Sequence, residues 1–104
     1  MALDFSMISD RGEILGWIPI PVNIHGQLFD LIDRSRYPQL GRIHDYYEDV
    51  MYNLSDLDQL ILDLRGFHFE CEEVGRRHFG LVEEMLDFVE LARSEARRIE
   101  VVAD

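Results

Sequence analysis

The pentapeptide Ile18-Pro19-Ile20-Pro21-Val22 restricts the fold more than any other stretch of this chain. Proline fixes φ and carries no N–H, so two of them at a spacing of two disfavour a helix and hold the backbone extended. Ile18, Ile20 and Val22 then share one face, as the period of a strand requires. Alternate N–H groups of a strand point to the same side, so both prolines remove donors along one edge only. That edge is expected to lack a neighbour. The partner strand lies upstream, where Leu3, Phe5 and Met7 alternate with Asp4 and Ser6, and Asp10-Arg11-Gly12 supplies the turn. An antiparallel hairpin should therefore start the fold, its second strand running from Glu13 to Val22.

Helical spacing takes over downstream. Asn23 is placed to cap a helix that carries Ile24, Leu28, Leu31 and Ile32 on one stripe, widened by Phe29 and ended by Tyr37-Pro38. A shorter helix is expected from Pro38, with Leu40, Ile43 and Tyr47 turned inward. Val50, Tyr52 and Leu54 alternate as a short strand or extended link. Ser55 and Asp58 have the form of a capping box and open a helix with Leu57, Leu60, Ile61 and Leu64 on one face, which Gly66 closes. Residues 67–80 lack a period and read as a loop with an extended piece at 68–72. The last helix spans about Leu81 to Arg98, its inner stripe formed by Leu81, Met85, Phe88, Val89, Ala92, Ala96 and Ile99. Its acids come early and its arginines late, as the helix dipole favours. Ile99 and Val101 are able to extend the chain into a closing strand beside the hairpin. Repeats and linkers are absent, so residues 1–104 are expected to form a single α+β domain: an N-terminal hairpin packed against three or four helices.

Composition matters mainly for what it excludes. Twenty-one acids against ten bases, all arginine, leave a formal charge of −11 on 104 residues. Phosphate backbones are bound chiefly through cationic neutralisation, so nucleic acid is not an expected partner. No window approaches the roughly 18 apolar residues of a membrane helix. The start MALDFSMI has neither a basic region nor a long apolar run, and the single Cys71 closes no internal disulfide, which together suggest a reducing, cytoplasmic setting.

The densest chemistry lies in His44-Asp45-Tyr46-Tyr47-Glu48-Asp49-Val50. On a helix, 45, 48 and 49 share a face, so His44 with Glu48 and Asp49 is one possible metal set. His68, Cys71 and His78 form another, with the two-residue spacer common in zinc sites. The first matches neither an EF-hand nor a zincin, and the second lacks a fourth ligand. Neighbouring acids on a helix are usually a solvated face. Glu70, Glu72 and Glu73 around Cys71 suppress its thiolate and make it a poor nucleophile. No serine elbow, Walker loop or Gly-x-Gly-x-x-Gly occurs, so neither an enzyme nor a cofactor is expected. A small metal-binding module or metal-dependent enzyme built on either histidine set remains the alternative.

Local charge rises above this background. From Asp45 to Glu73 there are nine acids and one base, Arg65, so a net −8 of the total −11 falls in 29 residues. Tyr46, Tyr47 and Tyr52 share the window. Aromatic area for affinity and negative charge for steering are what an interface to a cationic protein needs. The expected contact residues are Asp45, Tyr46, Tyr47, Glu48, Asp49, Tyr52, Asp56, Glu70, Glu72 and Glu73. The bland reading is that the tyrosines are half-buried and the acids merely face water.

The segments LDFSMISDRGE, VNIHGQLFDLI, LGRIHDYYEDVMYNLSDLDQLILDL and IEVVAD resemble, in style and order, the small acidic immunity proteins of bacterial contact-dependent growth-inhibition and polymorphic-toxin systems. The likeness spans most of the chain except 66–80. It implies a cytoplasmic inhibitor that neutralises one cognate toxin domain with a basic surface, often a nuclease, by covering its active site. It carries no functional residue across, and it leaves the toxin's identity and this chain's oligomeric state open.

Overall fold

Leu3, Phe5 and Met7 are buried along one face of β1, Ala2–Ile8, and the chain returns as β2, Ile14–Pro21. The computed structural model describes residues 2–30, 32–45 and 48–103. Between β1 and β2, Ser9 Oγ accepts the N–H groups of Arg11 (3.2 Å) and Glu13 (3.0 Å), while Gly12 takes φ +81°, a conformation open to glycine. Two further strands, β3 (Val50–Tyr52) and β4 (Arg98–Ala103), complete a four-stranded antiparallel sheet of order β2-β1-β4-β3. The C-terminal strand thus lies against β1, as Ile99 and Val101 led one to expect, and β2 is an edge, as its prolines demand.

The first helix departs from the sequence reading at both ends. Helix α1 is Val22–Phe29, with Pro21 at the N-cap in an extended conformation. Asn23 therefore lies inside the helix, and Val22 is half exposed in its first turn instead of continuing the strand face. The helix stops eight residues before Tyr37 because Asp33 competes for the backbone. Its Oδ1 accepts the N–H groups of Ser35 (3.0 Å) and Arg36 (3.3 Å) and the Ser35 hydroxyl (2.6 Å), folding the chain into a turn. Beyond Pro38 only a short 3-10 helix forms, Leu40–Ile43, with Leu40, Gly41 and Ile43 buried. Leu31, Tyr46 and Tyr47 lie outside the described residues.

Helix α2 is longer than expected, Leu54–Glu73. Its capping box is Asn53 with Asp56, the Asn53 N–H donating to Asp56 Oδ2 at 2.9 Å, two residues upstream of the Ser55 and Asp58 pair. Gly66 does not close it. A Cβ built there would stand 3.2 Å from Tyr37 Cε1, so the glycine admits a ring and the helix continues past it. Leu57, Leu60, Leu64, Phe67 and Cys71 extend one buried stripe through the segment read as a loop. The stop is Gly75, at φ +64°, where Gly75 N–H donates to Glu72 O (3.2 Å) and Arg76 N–H to Cys71 O (2.9 Å) in a Schellman pattern.

Helix α3, Phe79–Ser94, buries Val82, Met85, Val89 and Ala92, while Leu81 and Phe88 are half-buried beside them. Ala96 is no part of that stripe: it is exposed at φ +54° and makes the corresponding left-handed cap, with Arg97 N–H donating to Ala92 O at 2.8 Å. Helices α2 and α3 pair along a seam crossed by Asp58–Arg93 (2.8 Å), Arg65–Glu90 (3.1 Å) and His68–Glu83 (3.9 Å). The two arginine pairs are solvated and each contributes at most about 1 kcal/mol, while the His68 contact is ionic only with a protonated imidazole. The core cluster joins Leu3, Phe5, Ile20, Ile99, Val101 and Tyr52 of the sheet to the buried residues of the helices. An α+β, two-layer arrangement results, with helices against one face of the sheet.

Candidate functional site

Acids read as outward-facing turn out to hold the fold together. Asp56, Asp63 and Glu70 recur every seven residues along α2, so they fall on one side of it, and all three meet the segment from Arg36 to Arg42. Asp56 accepts from Gln39 Nε2 (3.4 Å) and faces Arg42 Nη1 (3.6 Å). Asp63, 3% exposed, accepts the N–H groups of Gln39 (2.7 Å) and Leu40 (3.0 Å) through Oδ2 and Gln59 Nε2 (2.8 Å) through Oδ1. Glu70 accepts the Tyr37 hydroxyl and pairs with Arg36 at 3.5 Å. Burial, then the hydrogen bond to Glu70, pushes the Tyr37 phenol up to about 12. That stripe fixes the irregular 33–43 segment together with the burial of Tyr37, Leu40 and Ile43 in the core.

Tyr52 is corrected from the expected contact set. Its side chain is fully buried, its hydroxyl donates to Gln39 O at 2.5 Å, and the Arg42 guanidinium lies 4.8 Å from its ring centroid. Burial pushes its phenol above the ordinary range, the nearby guanidinium opposing this. The acidic window also divides in space. Glu70, Glu72 and Glu73 lie at the C-terminal end of α2, about 21 to 25 Å along the axis from Asp56 at about 1.5 Å per residue. Glu72 and Glu73 are exposed there, but they do not join the acids before β3.

What remains around β3 is coherent. Asp45 is half-buried, while Glu48 and Asp49 are exposed. Glu48 and Asp49 line an open hollow of about 640 Å³ with Arg34, Ser35, Arg42 and His44. Asp49 also borders a second hollow of about 260 Å³, formed with Val50, Met51, Glu100, Val101 and Val102. Its Oδ1 accepts Ala103 N–H at 2.8 Å, which ties the loop to the end of β4. Arg42 is the organising cation: besides facing Asp56 and Tyr52 it donates to Gln39 Oε1 (2.9 Å) and to Met51 O (2.9 Å).

Neither metal reading gains support from this geometry. Among the described residues no group of three or more His, Cys, Asp or Glu side chains is arranged to hold a metal ion. The hollow beside His44, Glu48 and Asp49 is lined by two guanidinium groups, which already place positive charge there. Cys71 is buried on α2, and burial raises its thiol pKa; His68 lies on the same helix 5.8 Å from the Phe79 ring, and His78 is exposed ahead of α3.

No family model, curated protein or solved structure matches the chain. No helix among the described residues is long and apolar enough to cross a membrane. Glu100, Met51, Val102 and Arg42 are the residues that sequence reasoning missed. The alternation in β4, which puts Glu100 and Val102 opposite the buried Ile99 and Val101, was the available signal.

Proposed function

We propose that this chain is a cytoplasmic protein-binding inhibitor without catalysis of its own, which neutralises a cognate cation-rich toxin domain by covering its active site. The observation that carries the reading is the corner before β3, where exposed Glu48 and Asp49 stand between two adjoining hollows and Asp49 borders both. Exposed carboxylates beside concave surface, with Asp49 reaching a second hollow that no arginine lines, suit a protein that presents arginine or lysine side chains, and the net charge of −11 steers such a partner from a distance. A basic nuclease groove has that chemistry. The resemblance to small acidic immunity proteins points in the same direction.

The test is association kinetics of the purified chain with the product of the reading frame next to its own gene. A complex is expected, and the double variant Glu48→Arg, Asp49→Arg should slow association about tenfold at low salt, with the difference shrinking as salt is added. Both residues are exposed, and losing the Asp49 bond to Ala103 N–H frees only the end of β4, so circular dichroism should show an unchanged fold. Equal on-rates for variant and parent would remove the acidic corner from the interface, and absence of any complex would remove the inhibitor reading.

A further inference from the structure

The sheet has one face taken up by the core and two edges that resist another strand. Along β2, Pro19 and Pro21 offer no N–H to a neighbour. Along β3, the outward carbonyl of Met51 is already held by Arg42. The remaining surface is the outer face. Pairing register places Trp17, Ser6, Glu100 and Met51 in one row across the four strands, and Pro19, Asp4 and Val102 in the next. Trp17 is 61% exposed, Met51 47% and Val102 38%, although residues of these types normally seek cover.

We propose that this outer face is the docking surface for the cationic protein partner, with Trp17 as its aromatic anchor. The hollow between Met51 and Val102 is the socket for an arginine or lysine side chain. The proposal rests on the reading given above and specifies where on the molecule it is carried out. Chemistry sets the occupant. Met51 and Val102 offer apolar wall to the methylene stem, the strand backbone at Val50 and Val101 lies beside them, and Asp49 and Glu100 border the same hollow with carboxylates for the charged head. Trp17 offers the ring face on which a second cation stacks best. Glu100 now pairs with Arg98 at 3.5 Å, so an incoming guanidinium would take the place of one already present. The charged groups of this face are Asp4, Glu100 and Arg98, with Asp49 at its corner, a net negative set. A second copy, itself carrying −11, is opposed by that charge, whereas a cation-rich protein is attracted.

Trp17 is the chain's single tryptophan, so its emission reports on the face directly. A deca-arginine peptide titrated into the full chain should give a saturable change in that emission. In calorimetry, Trp17→Ala and Met51→Arg should each weaken binding about tenfold, the loss of a central aromatic anchor or the addition of a like charge. Met51→Arg keeps the test open should Trp17→Ala misfold. Peptide binding that Glu48→Arg, Asp49→Arg weakens while both face variants bind like the parent would overturn the face and leave the cationic partner standing. No binding of the peptide at all would overturn both. A dimer of the parent in sedimentation that Trp17→Ala dissolves would assign the face to a second copy and overturn the proposal.

Discussion

Asp63 shows how one buried acceptor organises an irregular stretch. The carboxylate, 3% exposed, holds two backbone N–H groups at 2.7 and 3.0 Å, and that of buried Leu40 has no water at hand to replace it. Asp63→Ala should lower stability by about 3 kcal/mol, the penalty for orphaning buried donors to a charged acceptor, read from the urea midpoint. In the sequence Asp63 was one acid among nine, indistinguishable from Asp58, which is solvated. Its seven-residue spacing from Asp56 and Glu70 becomes informative only once 54–73 is known to be one helix. The tyrosines titrate accordingly. A phenol whose pKa is raised on folding stabilises the native state below the unfolded value of about 10 and loses that contribution as pH climbs through the folded one. Tyr37, at about 12, and Tyr52, higher still, should therefore ionise late in a 295 nm titration, with stability falling above pH 10. Phenols that all titrate near 10 in the folded protein would contradict their described burial.

Two glycines in helices have opposite significance at the scale of the element. Gly26 in α1 has open space where a Cβ would go, whereas a Cβ at Gly66 in α2 would press on the Tyr37 ring at 3.2 Å. Gly26→Ala should raise stability by about 0.5–1 kcal/mol through helix propensity alone. Gly66→Ala should show no such gain, because the ring has to shift, and thermal melts of the two variants would separate them. The same contrast explains why the middle of the chain was misread. Gly66 carried the usual stop signal, but the stripe Phe67 and Cys71 continued across it, and the true stop was Gly75. Elements with unbroken patterns, β1, β2, β4 and most of α3, were legible because local period and tertiary burial agreed there. Helix α1 was shortened by the Asp33 side chain, a competition that hydrophobic spacing does not reveal.

For the whole molecule the dominant quantity is charge. A net −11 on a body with a radius of gyration of 12.7 Å repels itself, so added monovalent salt should raise the thermal midpoint of the chain. A midpoint that falls with salt would mean that its ion pairs outweigh the repulsion. The candidate surface was legible in part: the acids at 48 and 49 lie where the sequence placed them, on the outside. The rest needed three dimensions, because Tyr52 turned inward, Glu72 and Glu73 went to the far end of a 20-residue helix, and Glu100 arrived from β4 through strand register. The proline-bearing rim and the rim held by Arg42 have a further result. Molecules that collide in a crowded solution meet one rim short of donors and another with an acceptor already occupied, which disfavours zipping into cross-β fibrils and should let the protein accumulate without seeding its own deposition.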